Sequence, residues 1–291
     1  MGILDGKVAI ITGAGGGLGR AHALALAKEG ASIVVNDLGG SVDGTGSGDT
    51  MADQVVAEIE AAGGKAVANH GNVTLAEDAD AMVAAAVEAF GRLDILINNA
   101  GILRDKSFKK MTEDLWDPVV AVHLKGTYQP TRAAYLHMLE SGTKGRIIMT
   151  SSTSGLIGNF GQTNYGAAKA GIAGFMRCLA IEGAKAGITV NVLAPNAYSR
   201  MTADLFPEGS EEHFAPEKVS PAIAWLCSDE SADITGRQFV ISGNRVTLLY
   251  PAGFQIADRA GEAWSAEEIG TKIRESMADW PEAATVPKLV F

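Results

Sequence analysis

Residues 12–19 read Thr-Gly-Ala-Gly-Gly-Gly-Leu-Gly, between the apolar run Val8-Ala9-Ile10-Ile11 and a helical pattern that opens near Gly17. A strand that turns through glycines straight into a helix lets backbone N–H groups approach a pyrophosphate, and the helix points its positive N-terminus at that anion. A Cβ would block the approach, which is why glycine is needed in the turn; Gly13, Gly17 and Gly19, together with Leu18, are expected among the cofactor-binding residues. Alone, such a turn says little. The next β-branched run, residues 31–36, ends at Asp37, about 20 residues past the fingerprint, where a carboxylate would meet an adenine ribose. An aspartate capping the next turn is the plainer reading. Strand, glycines, helix, strand and acid in that order favour the dinucleotide. NAD is expected rather than NADP, because neither Gly16 nor Leu38 is basic and Arg20 lies beyond the last glycine, on the helix.

The chain has 291 residues, 47% of them hydrophobic, enough for the core of one large α/β domain. Its apolar runs are too short to span a membrane and its N-terminus has no basic region followed by an apolar stretch, so a soluble, cytoplasmic protein is expected. Cys178 and Cys227 have no metal-like spacing; both read as core packing, and no metal is expected. A formal charge of −10 disfavours nucleic acid as a partner, although a local basic patch can still receive an anionic tail such as coenzyme A.

Apolar β-rich runs near 7–12, 31–36, 65–69, 93–98, 145–151, 188–194 and 238–242 alternate with helical patterns. The alternation predicts a doubly wound parallel sheet of about seven strands, a single domain over residues 1–243, with a C-terminal extension over 244–291 that holds one helix around 266–278. Ligands on such sheets bind at the carboxyl ends of the strands. Asp37, Asn72, residues 98–101, Ser152 and Pro195-Asn196 all follow predicted strands. The glycine-rich stretch 39–48 reads as a surface loop, and residues 196–216, with Met201, Leu205, Phe206 and Phe214, as a substrate lid. His22 and His137 read as solvated or capping residues.

Tyr165 and Lys169 stand four residues apart in Asn-Tyr-Gly-Ala-Ala-Lys, on one face of a helix predicted over 163–186. A phenol titrates near pH 10, but a neighbouring ammonium and an oxidised nicotinamide would lower it, which makes Tyr165 a candidate general base. Ser152, at the end of a strand, can bring its hydroxyl beside the phenol. Substrate oxygen held by Ser152, proton taken by Tyr165 and ribose gripped by Lys169 together describe oxidation of a secondary alcohol to a ketone.

These residues, with NNAG at 98–101, resemble the short-chain dehydrogenase/reductase family over about residues 5–243. NDLGG at 36–40, GILRD at 101–105, GNFGQ at 158–162 and APN at 194–196 are most similar to the dehydrogenase unit of peroxisomal multifunctional enzymes of type 2. The resemblance implies an NAD-dependent enzyme acting on a 17β-hydroxysteroid or a (3R)-3-hydroxyacyl-CoA. It implies cofactor contacts from Asn72, Val73, Asn98, Asn99, Ala100, Gly101, Asn196, Ala197 and Ser199 as well as Tyr165 and Lys169. A homodimer or homotetramer built across helices near 112–140 and 163–186 is implied too. The chain departs from the family at His123, where an asparagine is usual; at Asn72, where an aspartate is often found; and at Asn196, where glycine is usual. His123 is carried as a catalytic candidate that either relays protons or packs against the helix, with Pro118 expected to kink the chain before it. An NADPH-dependent 3-oxoacyl reductase and a non-catalytic nucleotide-binding scaffold are the competing readings.

Overall fold

The computed structural model describes residues 2–40, 43–45, 50–198, 208–258 and 263–281. Its strands are β1 (Val8–Thr12), β2 (Ser32–Asn36), β3 (Lys65–Asn69), β4 (Ile95–Asn98), β5 (Arg146–Thr150), β6 (Thr189–Asn196), β7 (Gln238–Ser242) and β8 (Arg245–Leu249). They form one sheet in the order β3-β2-β1-β4-β5-β6-β7-β8. The pairs from β3 across to β7 are parallel, as the alternation of strands and helices requires.

Helices cover both faces. α1 (Gly17–Lys28), α2 (Thr50–Ala61) and α8 (Ser220–Leu226) lie on one side, and α3 (Ala76–Phe90), α5 (Gly126–Ser141) and α7 (Thr163–Gly183) on the other. Strand β1 shows why the apolar runs are continuous: Ala9 and Ile11 join the first core and Val8 and Ile10 the second, all four buried. Burying one such isoleucine contributes roughly 1.5–3 kcal/mol.

The eighth strand corrects the expected count of seven. β8 pairs antiparallel with β7, joined through Gly243 and Asn244, where Gly243 adopts φ +54°. Arg245, Val246 and Leu248 are exposed, so this edge strand lacks the apolar run by which the others are read. The expected division at 243 falls inside this hairpin. Beyond it, α9 (Ala266–Ser276) is the helix expected around 266–278, started by a capping box between Ser265 and Glu268, and it buries none of its residues.

Between α4 (Glu113–Val120) and α5 the chain adopts π-helical geometry over Ala121–Lys125. Pro118 lies inside α4 and brings no N–H to the ladder, so the irregularity expected after it takes the form of a π segment, and that segment carries His123. Cys227 is buried as expected but Cys178 is exposed. Among the described residues no helix is long and apolar enough to cross a membrane.

Candidate active site

β1 and β4 are neighbours, with β2 beyond one and β5 beyond the other, so sheet order reverses between them and leaves a crevice at their carboxyl ends. A cleft of about 490 Å³ opens there, lined from Gly13, Gly16, Gly17 and Leu18 through Asp37 to Tyr165 and Lys169. The turn after β1 fits a dinucleotide because its backbone is bare and closely backed. Gly13, at φ +63°, sits where a Cβ would lie 2.7 Å from the Ala100 Cα, and a Cβ on Gly19 would lie 2.2 Å from the Gly13 carbonyl oxygen. Thr12 locks this turn to the loop after β4: its hydroxyl accepts from the N–H groups of Asn99 and Ala100 at 3.0 and 3.1 Å. Asn99 returns the contact, its Nδ2 donating to the carbonyls of Thr12 and Gly13 at 3.0 Å each.

Asp37 stands at the end of β2. Its carboxylate oxygens accept from the N–H of Gly15 at 2.8 Å and of Gly39 at 2.7 Å, which leaves lone pairs for the hydroxyls of a ribose. Arg20, the cation nearest in sequence to the fingerprint, is paired with Glu58, and that partner raises its pKa further.

At the other end of the cleft, Lys169 is buried and its Nζ donates to the Thr150 carbonyl at 2.6 Å. The ammonium lies 5.5 Å from the centroid of the Tyr165 ring. Burial pushes the Tyr165 phenol up to about 12, while a hydrogen bond from Ser152 pulls in the opposite direction. Burial pulls Lys169 down to about 7. Ser152 also caps the short helix α6 (Thr153–Leu156), its Oγ accepting from the Ser154 N–H at 3.1 Å. Asn164, fully buried, fixes the start of α7 by donating to the carbonyls of Arg104 and Leu115 and accepting from the Tyr165 N–H at 2.7 Å.

His123 meets the Tyr165 ring edge-on, with centroids 4.9 Å apart. Its Nε2 lies 2.7 Å from the Ile102 carbonyl oxygen, and its buried Nδ1 has no partner among the described residues. Burial, then the neighbouring Lys169, hold its pKa well below the usual histidine value, so the ring is neutral near pH 7. A Cβ on Gly101 would come within 2.4 Å of the His123 Cε1, so glycine there is what admits the imidazole.

The structure brings Gly13, Gly17, Leu18, Asp37, Asn72, Val73, Asn99, Ala100, Gly101, His123, Tyr165, Lys169 and Ala197 to the walls of the cleft. Gly19 stands behind it, against Gly13. Asn98 is not brought there: it is buried and donates to Thr131 Oγ1 at 2.9 Å. Asn196 turns to Ser242 at 3.3 Å, leaving Pro195 and Ala197 as the lining residues of that loop. Ser199, Met201, Leu205 and Phe206 lie outside the described residues, and Phe214 is buried. Thr12 and Asn164 organise the site without having been singled out; each adjoins a predicted site residue, which is the signal that marked their positions.

A short chain dehydrogenase family model matches residues 7–208, and the chain belongs to that family. Over 245 residues it is 53% identical to peroxisomal multifunctional enzyme type 2 of Mus musculus, a match covering 84% of this chain and 33% of that protein. The chain thus spans a third of the length of that relative. It is 39% identical over 289 residues to the hydroxyacyl-CoA dehydrogenase ChsB1 of Mycobacterium tuberculosis, covering 94% of this chain and 90% of the relative. A crystal structure of a short chain dehydrogenase from Mycobacterium avium shares the fold with a TM-score of 0.87 at 44% identity, over 98% of this chain and 99% of that one.

Proposed function

We propose that the protein oxidises the 3-hydroxyl of a (3R)-3-hydroxyacyl-CoA to a ketone with NAD. The observation that carries this reading is one cleft with Tyr165 and Lys169 in its wall at one end and the Asp37 carboxylate at the other; Ser152 is not itself a lining residue of that cleft but hydrogen-bonds to the Tyr165 phenol. Arg20, held by Glu58, is not free to meet a ribose phosphate, which supports NAD over NADP. The hydroxyacyl-CoA dehydrogenase named among the relatives supports the substrate class.

When bound, the oxidised nicotinamide supplies the hydride acceptor and a positive charge near the phenol. Tyr165 takes the substrate's hydroxyl proton at its phenolic oxygen. Before substrate binds, Ser152 donates its one proton to the phenol, which favours the anion; with substrate in place that proton turns to the substrate oxygen and holds it. Lys169, fixed by Thr150, stands beside the ring and offers its remaining N–H groups to ribose hydroxyls. His123, packed edge-on and neutral, acts as a positioning residue for the phenol.

The test follows NADH absorbance with a (3R)-3-hydroxyacyl-CoA, with a 17β-hydroxysteroid, and with NAD against NADP. Faster turnover of the acyl-CoA with NAD is expected. Tyr165→Phe should lower kcat by about 100-fold or more, the usual contribution of a general base. Undiminished turnover in that variant, or preference for the steroid, would overturn the reading, and preference for NADPH-driven reduction would replace it with the reductase.

A further inference from the structure

We propose that the exposed strip Lys106, Phe108, Lys109 and Lys110, with Phe160 from the facing loop, is the docking surface for the phosphate-bearing end of a coenzyme A thioester. The proposal rests on the hydroxyacyl-CoA reading above and names the part of the molecule that recognises the carrier.

In a chain of net charge −10, the segment 104–110 holds Arg104, Lys106, Lys109 and Lys110 against a single carboxylate, Asp105. All three lysines are exposed, and among the described residues none forms an ion pair. Asp105 forms no ion pair with these lysines among the described residues; its Oδ2 accepts from Gln162 Nε2 at 2.6 Å. Phe108 is 73% exposed and Phe160 89%, aromatic surface left in water beside free cations.

The strip is tied to the chemistry. Lys106 forms a parallel bridge with Gln162, and its N–H donates to the Gly161 carbonyl at 2.8 Å, so the loops carrying Phe108 and Phe160 are joined. Gln162 Oε1 accepts from the Ser154 hydroxyl at 2.7 Å, and the Ser154 N–H donates to the Ser152 hydroxyl at 3.1 Å. Two hydrogen-bonded steps therefore join the strip's anchor, Gln162, to the hydroxyl that holds the substrate oxygen.

Coenzyme A matches this layout. A pantetheine arm separates the reacting thioester from a diphosphate, a 3′-phosphate and an adenine, so its two ends need different surfaces. Lysine ammonium groups meet phosphates as mobile point charges, and an exposed aromatic ring offers a base a stacking face. A steroid has no group that would use the lysines.

The experiment compares a (3R)-3-hydroxyacyl-CoA with the same acyl group on pantetheine alone, in the wild type and in the variant Lys106→Gln, Lys109→Gln, Lys110→Gln. The wild type should favour the CoA thioester by about tenfold or more in kcat/KM, through KM, and added salt should erode that preference. The triple variant should lose most of the preference and most of its salt dependence. Equal kcat/KM for both thioesters in the wild type, or an unchanged preference in the variant, would overturn the docking surface while leaving the dehydrogenase reading intact. If neither thioester is oxidised, the functional reading fails. Titration of free coenzyme A into protein saturated with dinucleotide then decides the surface alone: about tenfold weaker binding by the variant supports it, and equal or absent binding overturns it. Turnover of an acyl group on a carrier protein, coupled with indifference to coenzyme A, would also overturn it.

Discussion

Burial drives Tyr165 and Lys169 toward neutrality from opposite sides, the phenol up to about 12 and the ammonium down to about 7. The same force acts on His22, which patterning placed as a solvated or capping residue. It is wholly buried between α1 and α8, with Nδ1 2.9 Å from the Ser220 hydroxyl and, among the described residues, no partner for Nε2. Desolvation alone lowers its pKa to about 3. An unfolded chain takes up this proton near pH 6.5, so below that pH the unfolded state binds more protons than the folded state. Stability from a neutral His22 is thus present above pH 6.5 and lost progressively as pH falls toward 3, and His123, also held neutral, adds with the same sign. Replacing His22→Gln should therefore flatten the acid limb, giving a smaller fall in Tm between pH 7.5 and pH 5 than the wild type shows. An identical slope in both proteins would assign acid sensitivity elsewhere.

Elements were legible where burial on both faces made a strand continuously apolar, as in β1, and where spacing put Tyr165 and Lys169 on one helix face. β8 was not, because its edge position lets Arg245, Val246 and Leu248 face water. Asn98 lies off the cleft for a different reason: successive residues leaving a strand point to opposite sides, so only Asn99 of the pair faces the cleft while Asn98 reaches Thr131. Nor does sequence reveal what Asp43 and Gly44 rest on. Arg104 holds Asp43, its Nε donating to the Asp43 carbonyl at 2.9 Å and its Nη1 to the Asp114 carbonyl at 2.8 Å. That clasp sets Gly44, at φ +82°, against Ile102, where a Cβ would stand 3.1 Å from its side chain, and Gly40 and Gly44 both line the cleft. Arg104→Ala should raise KM for the dinucleotide several-fold with a much smaller effect on kcat. Arg104→Lys should not restore it, because one ammonium cannot reproduce the guanidinium's planar fork. Unchanged KM in the alanine variant would show that Asp43 and Gly44 keep their places without the arginine.

At the scale of the molecule, α7 carries two kinds of small residue. Gly166 and Gly171 serve packing within the subunit: a Cβ there would lie 3.2 Å from the Ser154 carbonyl oxygen and 3.1 Å from the Leu124 side chain. Gly174 has open space where a Cβ would go, and Ala167 and Ala170 are exposed. Further along the same helix Ile181 is 79% exposed, and Leu136 and Leu139 of α5 are exposed as well. A largely apolar groove lies between this stretch of the chain and α7, lined by Val120, Leu124, Tyr128 and Phe175 with Asp117 and Lys125 also in its wall, the Tyr128 and Phe175 rings 6.3 Å apart. Small residues that face outward let a second helix approach closely, and exposed aliphatic and aromatic side chains around them gain by leaving water. We propose that the chain self-associates through this surface of α5 and α7, as a homodimer or a homotetramer. Light scattering should then give two or four times the 30.2 kDa of one chain. Gly174→Glu, which puts a charge into the open position without touching the core or the cleft, should shift the protein to a single-chain mass. A wild type that already runs as a single chain at micromolar concentration would defeat the inference, and an unshifted Gly174→Glu oligomer would move the interface to another face.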